Sequence, residues 1–457
     1  MLTLLRSCDK ISHNELTYGR ILQLRCSNYN IFFKHKNKDF AFNSITRAFA
    51  DVDSNFMKAV DVIENTGDCS ALDEALVADM KKGGFIVDDC FDELQYLKFR
   101  SYRSKFSKNV LGMTIAPTLA CNFSCPYCYE YSKPWVMKQD VMDAIYNRVK
   151  KSAEDGQAVR IVWYGGEPLL AKEVIWSLSK RIIEVCDKND VKYSAYIVTN
   201  GYLIDDTTVE NFKKFRIDGA QITVDGSPEI HNSRRKLKNS NEPTFDRIIN
   251  NIKKLDNAGI KVTVRINVDK TNISRIEETL DIFAEHGLQN CVIYLGFVQS
   301  LTEACKSIES TCLQPLEYSL KQVEYSRMLA ERGFNIAHYP QYPKSKSNFC
   351  CADSINSYVI SYDGSMYRCW HDLGVDKKSV GNIKNEGCYN QQQFMTSISY
   401  LLSSPFENET CVKCKLLPIC MGGCPSYRNE KDQEKCVIWK YNLIDTLKMK
   451  YDYSNAI

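Results

Sequence analysis

The sequence predicts an α/β protein whose central part is a parallel β-sheet curled into a full or partial barrel. Six short apolar runs typical of buried strands alternate with amphipathic stretches in the middle of the chain. Glycines follow the helical stretches at Gly259 and Gly287, where helices commonly end. The 457 residues are 44% hydrophobic, which is enough to bury the cores of two or three domains.

Residues 1–108 are predicted to form an N-terminal α+β domain. A strand-like run, NYNIFFKHK at 28–36, precedes a helical stretch, SALDEALVADMKKGG at 70–84. This region contains no cluster of metal-ligating residues. We therefore expect it to be a recognition domain or a structural cap.

Residues 109–300 are predicted to form the barrel. The six predicted strands lie at 112–119, 158–166, 193–201, 219–226, 261–269 and 291–298. The five predicted helices between them lie at 140–154, 171–186, 205–215, 244–259 and 273–287. Alternation of this kind is typical of βα units with parallel strands. Residues 301–344 are expected to form a helical linker, and residues 345–457 a cysteine-rich and turn-rich domain.

Charge and cysteine usage exclude several classes of protein. The formal net charge of +3 favours neither nucleic acid nor an anionic membrane as a partner. No apolar run approaches 18 residues, and Arg6 interrupts the short apolar start, so neither a membrane helix nor a signal peptide is expected. The 20 cysteines then suggest a reduced, cytoplasmic compartment in which thiols serve as metal ligands.

Three cysteines lie close together after the first predicted strand. Cys121, Cys125 and Cys128 have the spacing C-x3-C-x2-C, and the end of a barrel strand is where such folds place their chemistry. Three thiolates can bind zinc together with a fourth ligand from elsewhere in the chain. They can equally hold three irons of a 4Fe–4S cluster and leave the fourth iron open.

Short polar motifs end the next three predicted strands. These are YGGEP at Tyr164–Pro168, TNG at Thr199–Gly201 and VDG at Val224–Gly226. Any one of them is explained by a tight turn between a strand and a helix. Three such motifs, each at the end of a strand that follows the cysteine loop in sequence, favour a common site at the mouth of the barrel.

The pattern C-x3-C-x-aromatic-C followed by GGEP resembles the radical S-adenosylmethionine (SAM) superfamily. The resemblance implies a partial (β/α)6 TIM-type barrel and a 4Fe–4S cluster on the three cysteines. The open iron would be chelated by the amino and carboxylate groups of SAM. Reductive cleavage of SAM would then give a 5′-deoxyadenosyl radical that abstracts hydrogen from the substrate, the cofactor carrying the difficult chemistry.

The same resemblance assigns residues of the SAM site. Cys121, Cys125 and Cys128 are the catalytic cluster ligands. The implied cofactor contacts are Tyr127 at the adenine, Gly165, Gly166 and Glu167 at the methionyl amino group, Thr199, Asn200 and Asp225 at the ribose or pocket wall, and Arg265 and Asn267 at the SAM carboxylate and ribose.

Three arginines have an alternative interpretation. Arg265 fits an ion pair inside the barrel as well as it fits a SAM contact. Arg234 and Arg235 can face the substrate, although a solvated loop is the favoured interpretation for both.

The C-terminal cysteines resemble the SPASM extension of radical SAM peptide-modifying enzymes, which holds two auxiliary iron–sulfur clusters. The resemblance assigns the farther cluster to Cys411, Cys414, Cys420 and Cys436, and the nearer one to Cys350, Cys369 and Cys424. The fourth iron of the nearer cluster would be bound by Cys351 or stay open to a substrate thiolate. Three 4Fe–4S clusters are therefore expected.

The resemblance implies a maturase for a ribosomally synthesised, cysteine-containing precursor peptide. The expected product is a thioether between a cysteine sulfur and a carbon of the same peptide. Other peptide crosslinks, formylglycine formation in a sulfatase, and a non-catalytic zinc-ribbon protein are the alternatives. The expected partners are the peptide, gripped by residues 1–108 as an added strand, and an electron donor such as flavodoxin or ferredoxin.

Overall fold

The structure is a computed structural model that describes residues 23–300, 302–334, 342–428 and 436–454. It divides into two compact units, one ending at Leu97 and the other beginning at Lys98. The chain start, where a signal peptide is not expected, lies outside the described residues.

The N-terminal unit is α+β, as predicted. Its described strands are Leu24–Cys26 (β1), Asn30–His35 (β2), Lys38–Asn43 (β3), Phe49–Val52 (β4) and Ile86–Asp88 (β5). Strands β2, β3 and β4 form an antiparallel sheet in that order, and β1 pairs with β5.

In the described part of this unit, from residue 23 onward, two helices follow β4, Ser54–Thr66 (α1) and Glu74–Gly83 (α2). The side chains of Asp53 and Asp73 cap their N-termini by accepting backbone N–H bonds. Glu93–Lys105 (α3) then runs on into the second unit.

The second unit contains the predicted barrel sheet. Its six parallel strands are Val110–Ile115 (β6), Ala158–Trp163 (β7), Tyr193–Thr199 (β8), Ile217–Thr223 (β9), Lys261–Val268 (β10) and Val292–Phe297 (β11). They pair in sequence order, β6 to β11, which confirms the six strand predictions. Side chains from every strand enter one continuous apolar core.

Helices follow these strands, and all but the short α7 bury an apolar face. They are Gln139–Glu154 (α4), Lys172–Lys188 (α5), Asp206–Lys214 (α6), Pro228–Arg234 (α7), Phe245–Asn257 (α8) and Ile276–Glu285 (α9). The five predicted helices are confirmed. The short helix α7, which contains too few residues for a periodic pattern, is an addition to the prediction.

The cysteine-rich segment extends the same sheet. Its strands are Ser357–Ile360 (β12), Ser365–Tyr367 (β13) and Gly381–Asn382 (β14). Strand β12 pairs in parallel with β6, the first barrel strand, and β13 and β14 follow in antiparallel order. This pairing brings the segment that begins at Cys350 beside the strand that leads into the three-cysteine loop.

The remaining helices are Pro315–Glu331 (α10), Gln391–Leu402 (α11), Glu409–Val412 (α12), Leu417–Cys420 (α13), Pro425–Arg428 (α14) and Trp439–Ser454 (α15). Of the helices in the described ranges, none is long and apolar enough to cross a membrane.

Candidate active site

The GGEP motif supports the backbone of the three-cysteine loop. A Cβ atom on Gly165 would lie 2.4 Å from the Thr118 carbonyl oxygen, and one on Gly166 would lie 2.4 Å from that of Ala120. Gly165 also has φ +111°, a conformation that L side chains rarely adopt. The close approach of the loop therefore depends on both glycines.

Glu167 joins three of the predicted motifs. Its buried carboxylate accepts hydrogen bonds from the Thr199 hydroxyl at 2.7 Å, from the Asn200 backbone N–H at 2.7 Å and from the Leu169 N–H at 3.0 Å. Burial raises the pKa of Glu167, opposed by these hydrogen bonds. The Asn200 side chain donates to Asn122 at 2.7 Å, inside the cysteine loop.

The three thiols of the loop lie within electrostatic range of one another. Burial, with smaller contributions from Glu167, Cys125 and Cys128, raises the pKa of Cys121 to about 12. Burial likewise raises the pKa of Cys128 to about 11. Such thiols ionise when a cation replaces their protons, which is the chemistry of a metal or cluster ligand.

This donor set suits an iron–sulfur cluster. Among the described side chains, no three His, Cys, Asp or Glu residues are arranged to hold a metal ion. A four-iron cluster attaches each thiolate to a different iron, so its ligands do not have to share one point. The loop fits a cluster with three protein ligands.

Tyr127 lies in a charged network at the mouth of the barrel. Its hydroxyl donates to the buried carboxylate of Asp225 and accepts from Arg235 at 2.8 Å. The Arg234 guanidinium lies 5.0 Å from the Tyr127 ring centroid and pairs with Asp225 at 3.4 Å and Asp269 at 3.0 Å. The Tyr127 side chain is thus held by two arginine guanidinium groups and one aspartate carboxylate.

The expectation that Arg234 and Arg235 lie in a solvated loop is wrong. Their exposed fractions are only 8% and 6%. Helix α7 ends at Arg234 and turns both side chains into the site, where Asp225 and Asp269 balance their charge. The sequence signal was present in the adjacent VDG motif, whose aspartate provides one of these partners.

Arg265 points along the inner side of the sheet toward Asn267. Its Nε donates to the Asn267 side-chain oxygen at 2.7 Å, and its guanidinium lies 5.9 Å from the Tyr294 ring centroid. Within the described ranges it has no ion pair, so the interior salt bridge is not formed there. A half-buried guanidinium with neutral partners is suited to bind an incoming carboxylate.

The sequence interpretation missed an aromatic and acidic group beside the loop. The hydroxyls of Tyr129 and Tyr164 hydrogen-bond each other, and Glu130 bonds to Tyr164. Burial raises the pKa of Glu130 to about 7. The Trp370 ring lies 4.5 Å from Tyr164, and His371 lies 5.0 Å from Tyr129. The available signals were the position of Tyr164 in the YGGEP motif and that of the other four residues directly after Cys128 and Cys369.

Four C-terminal cysteines form a first group near the barrel. Burial is the main cause that raises the pKa of Cys369 to about 12, and Cys424 and Cys350 add to it. The side chains of Cys350 and Cys351 hydrogen-bond each other, and Cys351 also interacts with Cys369. Both adjacent thiols therefore reach this group.

A second group contains Cys414, Cys420 and Cys436. Burial raises the pKa of Cys420, and the other two thiols raise it further. The backbone N–H of Cys414 donates to the Cys411 carbonyl at 3.1 Å, so Cys411 lies in the turn that leads into this group. Lys346 interacts electrostatically with both Cys420 and Cys350, which places it between the two groups.

Comparison with known proteins confirms the resemblance. Residues 115–297 match the Radical SAM superfamily. The chain is 25% identical over 364 residues to the cysteine-type anaerobic sulfatase-maturating enzyme of Clostridium perfringens, covering 70% of this chain and 90% of that protein. It is 24% identical over 260 residues to the sporulation killing factor maturation protein SkfB of Bacillus subtilis, covering 57% of this chain and 60% of SkfB.

The fold is also similar to that of Streptococcus suis SuiB solved with its precursor peptide SuiA. The TM-score is 0.51 at 17% identity, and the superposition covers 91% of this chain and 98% of SuiB. The chain therefore contains a radical SAM domain and is an enzyme.

Proposed function

We propose that this radical SAM enzyme matures a ribosomally synthesised precursor peptide by joining a cysteine sulfur to a carbon of the same peptide. The observation that best supports a precursor peptide as the substrate is the superposition on SuiB, which leaves only 9% of this chain unmatched. That share is smaller than the N-terminal unit, which ends at Leu97. At least part of this unit therefore has a counterpart in a protein solved with a precursor peptide.

Three sets of cysteines would hold the cofactors. Cys121, Cys125 and Cys128 would bind the cluster that chelates SAM. The nearer auxiliary cluster would take Cys369, Cys424 and the Cys350–Cys351 pair. The farther one would take Cys411, Cys414, Cys420 and Cys436. When bound, these groups supply a hydrogen-abstracting 5′-deoxyadenosyl radical and a place for the second electron that thioether formation releases.

Residues of the barrel mouth would bind and orient SAM. Arg265 would pair with the SAM carboxylate, because its guanidinium has no carboxylate partner in the described ranges. Glu167 supports the GGEP motif, which would face the methionyl amino group. Tyr127, fixed by Asp225 and Arg235, would form the wall beside the adenine.

The N-terminal unit would bind the precursor by adding it to strand β4. In the described sheet, β4 pairs only with β3. The Asn43 N–H bonds to the Ala48 carbonyl, and Ala41 faces Ala50, so the N–H groups of Phe49 and Asp51 point away from β3. Such an open edge is what an extended peptide requires.

Strand addition is tested with two variants of one residue. Asp51→Pro removes an outward N–H and should weaken precursor binding at least tenfold. Asp51→Ala keeps that N–H and loses only the exposed ion pair with Lys38, so its affinity should stay close to that of the wild type. If both variants bind the precursor equally well, strand β4 is not the edge to which the peptide adds.

The product is tested with a short cysteine-containing precursor peptide, sought among the reading frames beside the gene. Thioether formation removes one hydrogen atom from carbon, the thiol proton and one electron. The product should therefore be two hydrogens lighter and should no longer react with a thiol alkylating reagent. An aldehyde in place of the cysteine side chain would instead support the second candidate, sulfatase maturation, which the identity to the C. perfringens enzyme favours.

The proposal includes two further points. The first reducing electron would come from a flavodoxin or ferredoxin, and the enzyme would act in the cytoplasm. Neither nucleic acid nor a membrane is expected to take part.

A further inference from the structure

A polar cavity opens beside the first C-terminal cysteine group. It has a volume of about 290 Å³ and is lined by Lys377, Lys378, Gln392, Thr396, Tyr400 and Ser426, among others. Both lysines are exposed, and in the described ranges neither makes an ion pair. Asp376 is exposed beside them but does not line the cavity. Lys378 interacts electrostatically with the buried Asp372 carboxylate, but both ammonium groups stay exposed at the cavity rim. The cavity therefore presents two exposed cations to an approaching partner.

The cavity wall is connected to the cysteines by two hydrogen bonds. The buried Tyr400 hydroxyl donates to the Asp372 carboxylate at 2.7 Å, and the Asp372 backbone N–H donates to the Cys369 carbonyl at 3.2 Å. Ser426, which also lines the cavity, follows Cys424 by two residues. A molecule that covers this cavity comes within a few side chains of both cysteines.

The helix beside the cavity exposes an apolar surface without charge. No charged residue occurs from 387 to 406, a range that includes helix α11. Phe394, Met395 and Leu402 are 51%, 53% and 64% exposed, and Tyr389 stacks on Phe394 with ring centroids 6.5 Å apart. Exposed apolar side chains grouped in this way are typical of protein interaction sites.

We propose that the Lys377–Lys378 cavity and the exposed side of α11 form the docking site of a small, acidic one-electron carrier protein. The inference rests on the proposed function, because it requires that Cys369 and Cys424 hold the nearer auxiliary cluster. A cationic rim attracts an acidic surface and speeds encounter, and small apolar contacts suit a transient redox complex.

Docking is tested by direct binding, with a bacterial flavodoxin and a [2Fe–2S] ferredoxin as probes. Calorimetry on the reconstituted enzyme under anaerobic conditions compares the wild type with Lys377→Glu/Lys378→Glu. We expect the reversal to weaken binding of the carrier at least tenfold and to flatten its dependence on salt. The control, Lys180→Glu/Lys188→Glu, makes the same charge change on the outer helix α5 and should bind as the wild type does.

A second variant, Phe394→Ser/Leu402→Ser, tests the apolar part without changing charge and should also weaken binding. Equal loss in the control, unchanged binding in both docking variants, or no binding of either carrier to the wild type would overturn the proposal. Cleavage of SAM driven by dithionite should be unaffected in the docking variants. If dithionite gives no cleavage in the wild type, the proposed function fails instead, and the binding data still decide the docking site.

Discussion

Gly166→Ala should disturb the SAM site through one steric contact. The new Cβ would lie 2.4 Å from the Ala120 carbonyl oxygen and 2.6 Å from that of Leu119. Both atoms belong to the backbone that leads into Cys121, so no side chain can rotate away. Restoring ordinary contact requires the cysteine loop to move by about 1 Å, a displacement that can cost about 100-fold in a positioned site.

The expected result has two measurable parts. Overpacking of this kind destabilises a protein by about 1–3 kcal/mol, which chemical denaturation measures. Affinity for SAM, measured by equilibrium binding to the reconstituted enzyme, should fall about 100-fold because the loop no longer holds its position. Iron content should be determined on the same samples.

Gly112→Ala is the matched control. Its Cβ would meet the Ser357 hydroxyl oxygen at 2.7 Å, but a side-chain hydroxyl can rotate to another staggered position. We expect nearly unchanged affinity for SAM in this variant. If Gly166→Ala binds SAM and iron as the wild type does, the close approach of GGEP to the loop is not required for the site.

Four further changes test other parts of the structure. Cys125→Ala should abolish 5′-deoxyadenosine formation and lower iron content; if the variant still cleaves SAM, Cys125 is not a cluster ligand. Arg265→Met should raise the dissociation constant for SAM, while Arg265→Lys should partly restore binding. Equal affinity for SAM in both variants would show that Arg265 does not contact the SAM carboxylate. Lys105→Met should destabilise the second unit by about 1–3 kcal/mol in chemical denaturation, because two carbonyls lose a hydrogen-bond donor while Asp353 keeps its ion pair with Arg428 at 2.6 Å. Cys369→Ala with Cys424→Ala should leave SAM cleavage intact but stop thioether formation, as mass spectrometry would reveal; crosslinking at the wild-type rate would make that cluster structural.

The barrel was predictable from the sequence because its signal is local. Each strand is an apolar run with a polar motif at its end, and each helix has an apolar face of sufficient length. Strand order follows from the rule that successive βα units place neighbouring strands side by side. The junction of β12 with β6 was not predictable, because a four-residue strand gives little pattern and its partner lies more than 240 residues away.

The electrostatics of the mouth could be predicted only in part. Asp225 was identified by its motif, but its partners Arg234 and Arg235 looked like loop residues because helix α7 is seven residues long. The same limit applies to Glu130, which hydrogen-bonds Tyr164 at the end of β7. The Tyr164 ring in turn lies 4.5 Å from Trp370 of the C-terminal segment. The spacing of cysteines within a motif indicates which sulfur atoms bind the cluster, because those residues lie close together in the sequence. The charges and rings around the ligands come from distant segments, so their positions follow only from the folded chain.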